Sequence, residues 1–184
     1  MHEIEPLKPS NTGWLVADVV ADTEAFTWSR TAPDPRLLAL LLDPQWAPHV
    51  VFPAQGVAPE RVVREVVAPR GRRPLFVVLD GTWAEARKMF PRSPYLDGFP
   101  VLSFESEHAS RYLLRRTGRA SQMCTAEVAA LCLHLAGESA AADALDAWLD
   151  VFIARTTDAR TGRPSNPVDE PGPSPSDAAS PTSR

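Results

Sequence analysis

The sequence predicts an α/β domain with a mainly parallel sheet and helices on both faces, and three observations carry that prediction. Short apolar segments of strand length alternate with segments whose apolar residues recur at helical spacing, the signature of parallel strands joined by crossover helices. The run Pro74-Leu75-Phe76-Val77-Val78-Leu79 is continuously apolar, as a strand buried on both faces requires. That run stops at Asp80-Gly81, and Thr82 and Glu85 then form a T-x-x-E capping box that opens a helix. A buried strand, a tight turn and a capped helix place Asp80 at the carboxyl edge of the sheet. Ligands of open α/β sheets bind at that edge, and free N–H groups at helix starts favour anions there. The active site is expected at this point.

The elements follow in order. Residues 1–9 are polar and broken by proline, so they are loop or extended. Ser10-Asn11-Thr12-Gly13 is rich in capping residues, and Leu15, Val16, Val19 and Val20 give a first helix to about Val20. Residues 25–29 alternate in the manner of a short strand. Residues 35–42 form a leucine-rich helix started by Pro35 and stopped by Asp43-Pro44. Residues 49–52 are a short strand, and 59–67 read as a helix through Val62, Val63, Val66 and Val67. After the central strand–helix unit come a strand at 101–104 and a long polar loop at 105–122. A helix opens at Cys124-Thr125-Ala126-Glu127 and ends at Gly137. The last helix, about 140–154, carries Leu145, Trp148, Leu149 and Phe152 at amphipathic spacing. One domain over 1–162 is expected, with a disordered tail at 163–184, which has no aromatic residue and a single Val.

Composition narrows the function classes. The 184 residues carry a formal net charge of −4. Without Asp169, Glu170, Asp177 and Arg184, residues 1–163 hold 18 basic and 20 acidic residues, so a global basic surplus for nucleic acid is absent. Their cations are clustered instead: Arg70, Arg72 and Arg73; Arg87, Lys88 and Arg92; Arg111, Arg115, Arg116 and Arg119. These groups are either solvated surface or a local phosphate-binding face. Cys124 and Cys132 fit neither a zinc site nor a disulfide framework, which points to a reduced protein. With no run of transmembrane length and no signal-peptide pattern, a soluble cytoplasmic protein is expected. Neither G-x-G-x-x-G nor G-x-x-x-x-G-K-[ST] occurs, and no His/Cys metal cluster or Ser-His-Asp grouping is visible.

Several residues are candidates for chemistry. Asp80 is a general base, an orienting acceptor or a plain turn-former. Trp83, in the first helical turn, packs under the sheet edge or stacks on a planar ring. The loop Ser110–Arg116 interleaves guanidinium groups with Tyr112, which suits an RNA backbone and an unstacked base, or is a surface loop tethered by Leu113 and Leu114. Thr125 and Glu127 are helix caps, or flank N–H groups that hold a ligand carboxylate. His134, inside an apolar helix, reads as structural.

These pieces together resemble the DTW-domain proteins. Asp80-Gly81-Thr82-Trp83 matches the D-x-T-W signature. Lys8-Pro-Ser-Asn-Thr-Gly13, Trp28-Ser29-Arg30, Val51-Phe52-Pro53-Ala54, Ser93-Pro-Tyr-Leu96, Ser110–Arg116 and Cys124-Thr-Ala-Glu-Val128 agree in order. The likeness spans roughly residues 5–155 and is greatest to the bacterial tRNA-uridine aminocarboxypropyltransferase branch. It implies a fold related to the SPOUT knotted methyltransferases and S-adenosylmethionine as co-substrate. It also implies transfer of the 3-amino-3-carboxypropyl group to N3 of a variable-loop tRNA uridine, giving acp3U and methylthioadenosine.

On that resemblance Asp80, Thr82 and Trp83 are the catalytic candidates, with Asp80 as base and the other two shaping the site. Phe52, Pro53, Leu79, Thr125 and Glu127 are the cofactor-binding candidates. Asn11, Arg30, Arg87, Arg111, Tyr112 and Arg115 are the RNA-binding candidates. Bacterial members usually carry a Cys-rich zinc-binding segment and a first strand ahead of the K-P-S-N-T-G region, whereas this chain begins at Met1-His2-Glu3, so no metal is expected in it. The expected partner is tRNA, with a monomer favoured. The alternatives are an RNA methyltransferase using the same co-substrate and a silent RNA-binding remnant.

Overall fold

The computed structural model describes residues 1–2, 8, 10–104 and 123–161. Four strands, β1 (Trp46–Val51), β2 (Val62–Val63), β3 (Arg73–Val78) and β4 (Val101–Leu102), form a sheet in the order β2-β4-β1-β3. Every pairing is parallel, with Val50 and Val51 of β1 opposite Val77 and Val78 of β3 and also opposite Val101 and Leu102 of β4. All four carboxyl ends therefore lie along one edge of the sheet. Pro48 sits inside β1 without breaking it. Even-numbered β1 amides point toward β4, as Val50 N bonds Pro100 O at 2.9 Å, and β4 has not yet begun at the level of Pro48. The N–H that proline lacks would have no ladder partner there.

Side chains alternate across the strands and build a core on each face. Val50, Leu75, Val77 and Val101 pack with Leu37 and Leu41 of α2 (Pro35–Leu42) and with Phe90 and Leu96 after α3 (Trp83–Met89). Val51, Phe76, Val78 and Leu102 face the other way, against Val128 and Cys132 of α4 (Thr125–Leu135). A third core lies beyond α4, where α1 (Gly13–Val19) and α5 (Ser139–Thr161) join it through Leu15, Ala126, Ala129, Leu145 and Leu149. The expected parallel α/β sheet with helices on both faces is what the structure shows.

Some elements differ from expectation. Residues 59–67 are not a helix: a 3-10 turn, Pro59–Arg61, passes into β2. The valines there are stiff at χ1 and fit a pleated surface better than a helix, and Val62 and Val63 find partners in β4. Residues 25–29 form no strand among the described residues. Their backbone pairs there with the chain start, Met1 N donating to Phe26 O at 2.6 Å and Trp28 N to Met1 O at 2.7 Å. The last helix runs further than expected, to Thr161, while the α4 end at Gly137 is as expected, with φ 82°. The loop at 105–122 and the proposed tail at 163–184 lie outside the described residues.

Leu145 is fully buried between α1, α4 and α5. Leu145→Ala should lower unfolding stability by about 2–5 kcal/mol in a urea or guanidinium titration. A loss well under 1 kcal/mol would mean that α5 does not pack as described.

Candidate functional site

The site is built where β3 ends. Asp80 follows that strand at the carboxyl edge and is only 5% exposed. A buried carboxylate needs hydrogen-bond donors, and two helices supply them. Asn11 Nδ2, just ahead of α1, donates to Asp80 Oδ2 at 3.0 Å. Thr125 Oγ1, the first residue of α4, donates to Asp80 Oδ1 at 2.6 Å. The Asp80 carbonyl accepts from His2 N at 2.8 Å, so the chain start is tied to the same residue. Asn11 is itself fixed by Gly13 N, which donates to its Oδ1 at 2.6 Å.

Gly13 is the residue that sequence reasoning underused. A Cβ at this position would lie 2.9 Å from both Asn11 Oδ1 and Asp80 Oδ2. Only a residue without a side chain lets α1 start this close to the carboxylate. The signal was in plain view as the glycine that follows Ser10-Asn11-Thr12. Thr12 departs from its expected capping role: its hydroxyl accepts from Ala126 N of α4 at 3.3 Å instead of closing α1. The first helix is therefore docked on α4 by the residue type expected to cap it.

The D-x-T-W turn adopts the expected capping box. Thr82 N and Oγ1 both donate to Glu85 Oε2, at 2.6 and 2.7 Å, and Glu85 N donates back to Thr82 Oγ1 at 3.3 Å. Lys8 Nζ stands 3.5 Å from the same carboxylate, and His2 Nδ1 lies 3.7 Å from its other oxygen. Burial pushes the Glu85 carboxyl up, but the Thr82 hydrogen bonds with the Lys8 and His2 charges outweigh it and hold the group below its ordinary 4.5. Thr82 is thus consumed by its own helix and shapes the turn. Trp83 differs: it is half-buried and belongs to none of the three core clusters among the described residues.

Of the expected cofactor-binding residues, Phe52, Pro53 and Leu79 leave the carboxyl ends of β1 and β3 and are half-buried. Phe52 stacks on Phe90 with centroids 4.3 Å apart and planes 6° off parallel, giving a flat apolar wall at this edge. Thr125 is directed to Asp80. Glu127 is 7% exposed and its Oε2 accepts from Cys124 N at 2.7 Å. It is a cap, and the Ala126 N–H is already taken by Thr12.

Of the expected RNA contacts, Arg30 and Arg87 are exposed. Asn11, at 4% exposure, is turned inward and holds Asp80. Arg111, Tyr112 and Arg115 lie outside the described residues. His134, read as structural, is instead exposed near the end of α4, 3.7 Å from Asp143. His49 is the histidine buried in the sheet, its Nδ1 2.9 Å from Ala47 O and its Nε2 accepting from Val67 N at 3.3 Å. Burial pushes the Cys124 thiol up to about 11 and the Cys132 thiol up to about 12, so neither is a thiolate nucleophile at neutral pH. Among the described residues no group of three His, Cys, Asp or Glu side chains could hold a metal ion.

Two outcomes follow from this geometry. Gly13→Ala, which in an ordinary helix would stabilise by roughly 0.5–1 kcal/mol, should here lower the melting temperature because the methyl displaces Asp80 and Asn11. A melting temperature at or above that of the parent would show that the carboxylate gives way freely. For Glu85, a folded-state pKa held below the unfolded one adds stability above the unfolded value, and that stability is lost as pH falls through the folded value. The stability gap between the parent and Glu85→Gln should be full at neutral pH and close below about pH 4. A gap independent of pH would remove the charge from the account.

No solved structure matches the chain. The family model of the DTW domain matches residues 1–157, which takes in all four strands, the Asp80–Trp83 turn and both helix starts that donate to Asp80, and the chain belongs to the DTW-domain family.

Proposed function

We propose that the chain transfers the 3-amino-3-carboxypropyl group of S-adenosylmethionine to N3 of a variable-loop uridine in tRNA, forming acp3U. The observation that carries this reading is the Asp80 carboxylate, held at the carboxyl edge of a parallel sheet with one donor on each oxygen. Each oxygen keeps a second lone pair, so the group can still accept a proton from a substrate. Uridine N3–H is a weak acid, and N3 attacks carbon far better once a positioned base relieves it of that proton.

Asp80 takes that proton. Asn11 and Thr125 fix the carboxylate so that it need not reorient as the proton arrives. S-adenosylmethionine, when bound, supplies an electrophilic γ-methylene beside a sulfonium and departs as methylthioadenosine. The residues present suit such a group: Phe52, flattened against Phe90, and Leu79 offer apolar faces to an adenosine beside the strand ends. Trp83, outside the core clusters, offers a ring face to the uracil. Which carbon of the sulfonium faces N3 decides between aminocarboxypropyl and methyl transfer, so the pocket sets the product by orientation.

Nucleoside mass spectrometry of unmodified tRNA incubated with the chain and S-adenosylmethionine tests the reading. The expected products are acp3U and methylthioadenosine. A methylated nucleoside with S-adenosylhomocysteine would make the chain a methyltransferase instead, and no product at all would overturn transfer. Asp80→Asn should lower turnover at least about 100-fold while the fold persists. An Asn at this position can keep its oxygen on Asn11 and turn its amide to the Thr125 hydroxyl, which is able to accept. Unchanged turnover would remove Asp80 as the base.

A further inference from the structure

The outer side of α3 carries a row of cations that the site described so far does not use. Ala84, Arg87, Lys88, Pro91 and Arg92 are all exposed. Their spacing of i, i+3, i+4, i+7 and i+8 is one stripe of a helix, while Ala86 and Met89 turn inward. The stripe is continuous because α3 passes directly into the 3-10 turn Phe90–Arg92. A fourth exposed cation, Arg30, lies two residues after Trp28, whose Nε1 donates to Ser93 Oγ at 2.9 Å, and that serine follows Arg92.

Among the described residues none of these four cations has an ion pair or a hydrogen bond. Four other cations in the fold are neutralised, while the equally exposed Arg70 and Arg72 precede β3 at the amino edge of the sheet, away from Asp80. Lys8, Arg36, Arg61 and Arg73 each have a carboxylate at 3.5, 3.1, 3.8 and 3.2 Å. The α1–α5 layer, on the other side of the sheet from Phe90 and Leu96, instead exposes Asp18, Asp143 and Asp150. The α3 macrodipole favours cations in its last turn, by roughly 0.3–1 kcal/mol each. It does not account for Arg92 beyond the helix or for Arg30 on another segment.

We infer that Arg87, Lys88, Arg92 and Arg30 form the surface along which the RNA phosphate backbone lies when the target base reaches Asp80. The row of cations starts about one and a half helical turns from the site, since Arg87 lies five residues, roughly 7–8 Å along the axis, beyond Thr82. A file of unpaired cations leading away from a base-sized site suits a polyanion, and the acidic α1–α5 side repels one. This inference rests on the reading that the substrate is tRNA, and it adds the face by which tRNA is held.

The test is binding of unmodified tRNA to the full chain across a salt titration, with no S-adenosylmethionine present. Arg87→Gln/Lys88→Gln/Arg92→Gln should weaken binding at least about tenfold and reduce the log–log salt slope by about 2–3. Arg70→Gln/Arg72→Gln, ahead of β3 at the amino edge of the sheet, should leave the slope unchanged. An unchanged slope in the triple variant, or an equal change in both variants, would overturn the surface. Because turnover does not enter this measurement, the expected slope change in a chain that makes no acp3U would sink the transfer reaction and keep the surface. Formation of acp3U with an unchanged slope would do the reverse.

Discussion

The structure depends on satisfying one buried carboxylate. Asp80 is out of water at the end of a strand, where an unpaired charge would cost several kcal/mol. Its donors come from residues 11 and 125, far away in the chain and at the starts of different helices. Its backbone carbonyl holds His2, and its carboxylate leaves room beside it only for a glycine at position 13. Three separate stretches, Ser10–Gly13, Asp80–Trp83 and Cys124–Glu127, thereby become one place. Removing a donor would strand the charge, while removing the charge would strand two donors, so the group is coupled in both directions.

Polar groups around this point divide by task. The α3 and α4 starts are closed by their own glutamates, Glu85 and Glu127, and these carboxylates are spent on backbone and hydroxyl groups. Thr125 and Asn11 are spent on Asp80. Among the described residues, the groups not taken up in this way are the remaining lone pairs of Asp80, the Trp83 ring and the Phe52–Leu79 faces. On the proposed reading they orient a planar base and an apolar-walled donor.

The fold class and the position of Asp80 were legible because both are local. An apolar run, an Asp-Gly break and a capping box state a strand, a turn and a helix within a dozen residues, and no distant contact overrides them. The valines at 62–67 misled because a short β-branched run satisfies helical spacing as well as a strand does. Only the availability of β4 decides between the two. The inward turn of Asn11 was not legible, because nothing within ten residues of it reveals a carboxylate 69 positions away. Gly13 was visible as a glycine, but its reason is a clash that exists only after folding.

That non-local dependence explains where the site sits relative to the cores. The Asp80 backbone belongs to the sheet, whose cores are built on Val50, Val51, Val101 and Leu102. Both its donors belong to the start of helices packed in the third core, around Leu15, Ala126 and Leu145. The carboxylate is therefore a polar joint between two layers that are otherwise held by apolar contact, and contact of that kind fixes separation better than it fixes register. Hydrogen bonds of 2.6 and 3.0 Å fix register. On the proposed reading, the layers bring a base and its proton acceptor together at a defined geometry because the acceptor is the residue that locks them.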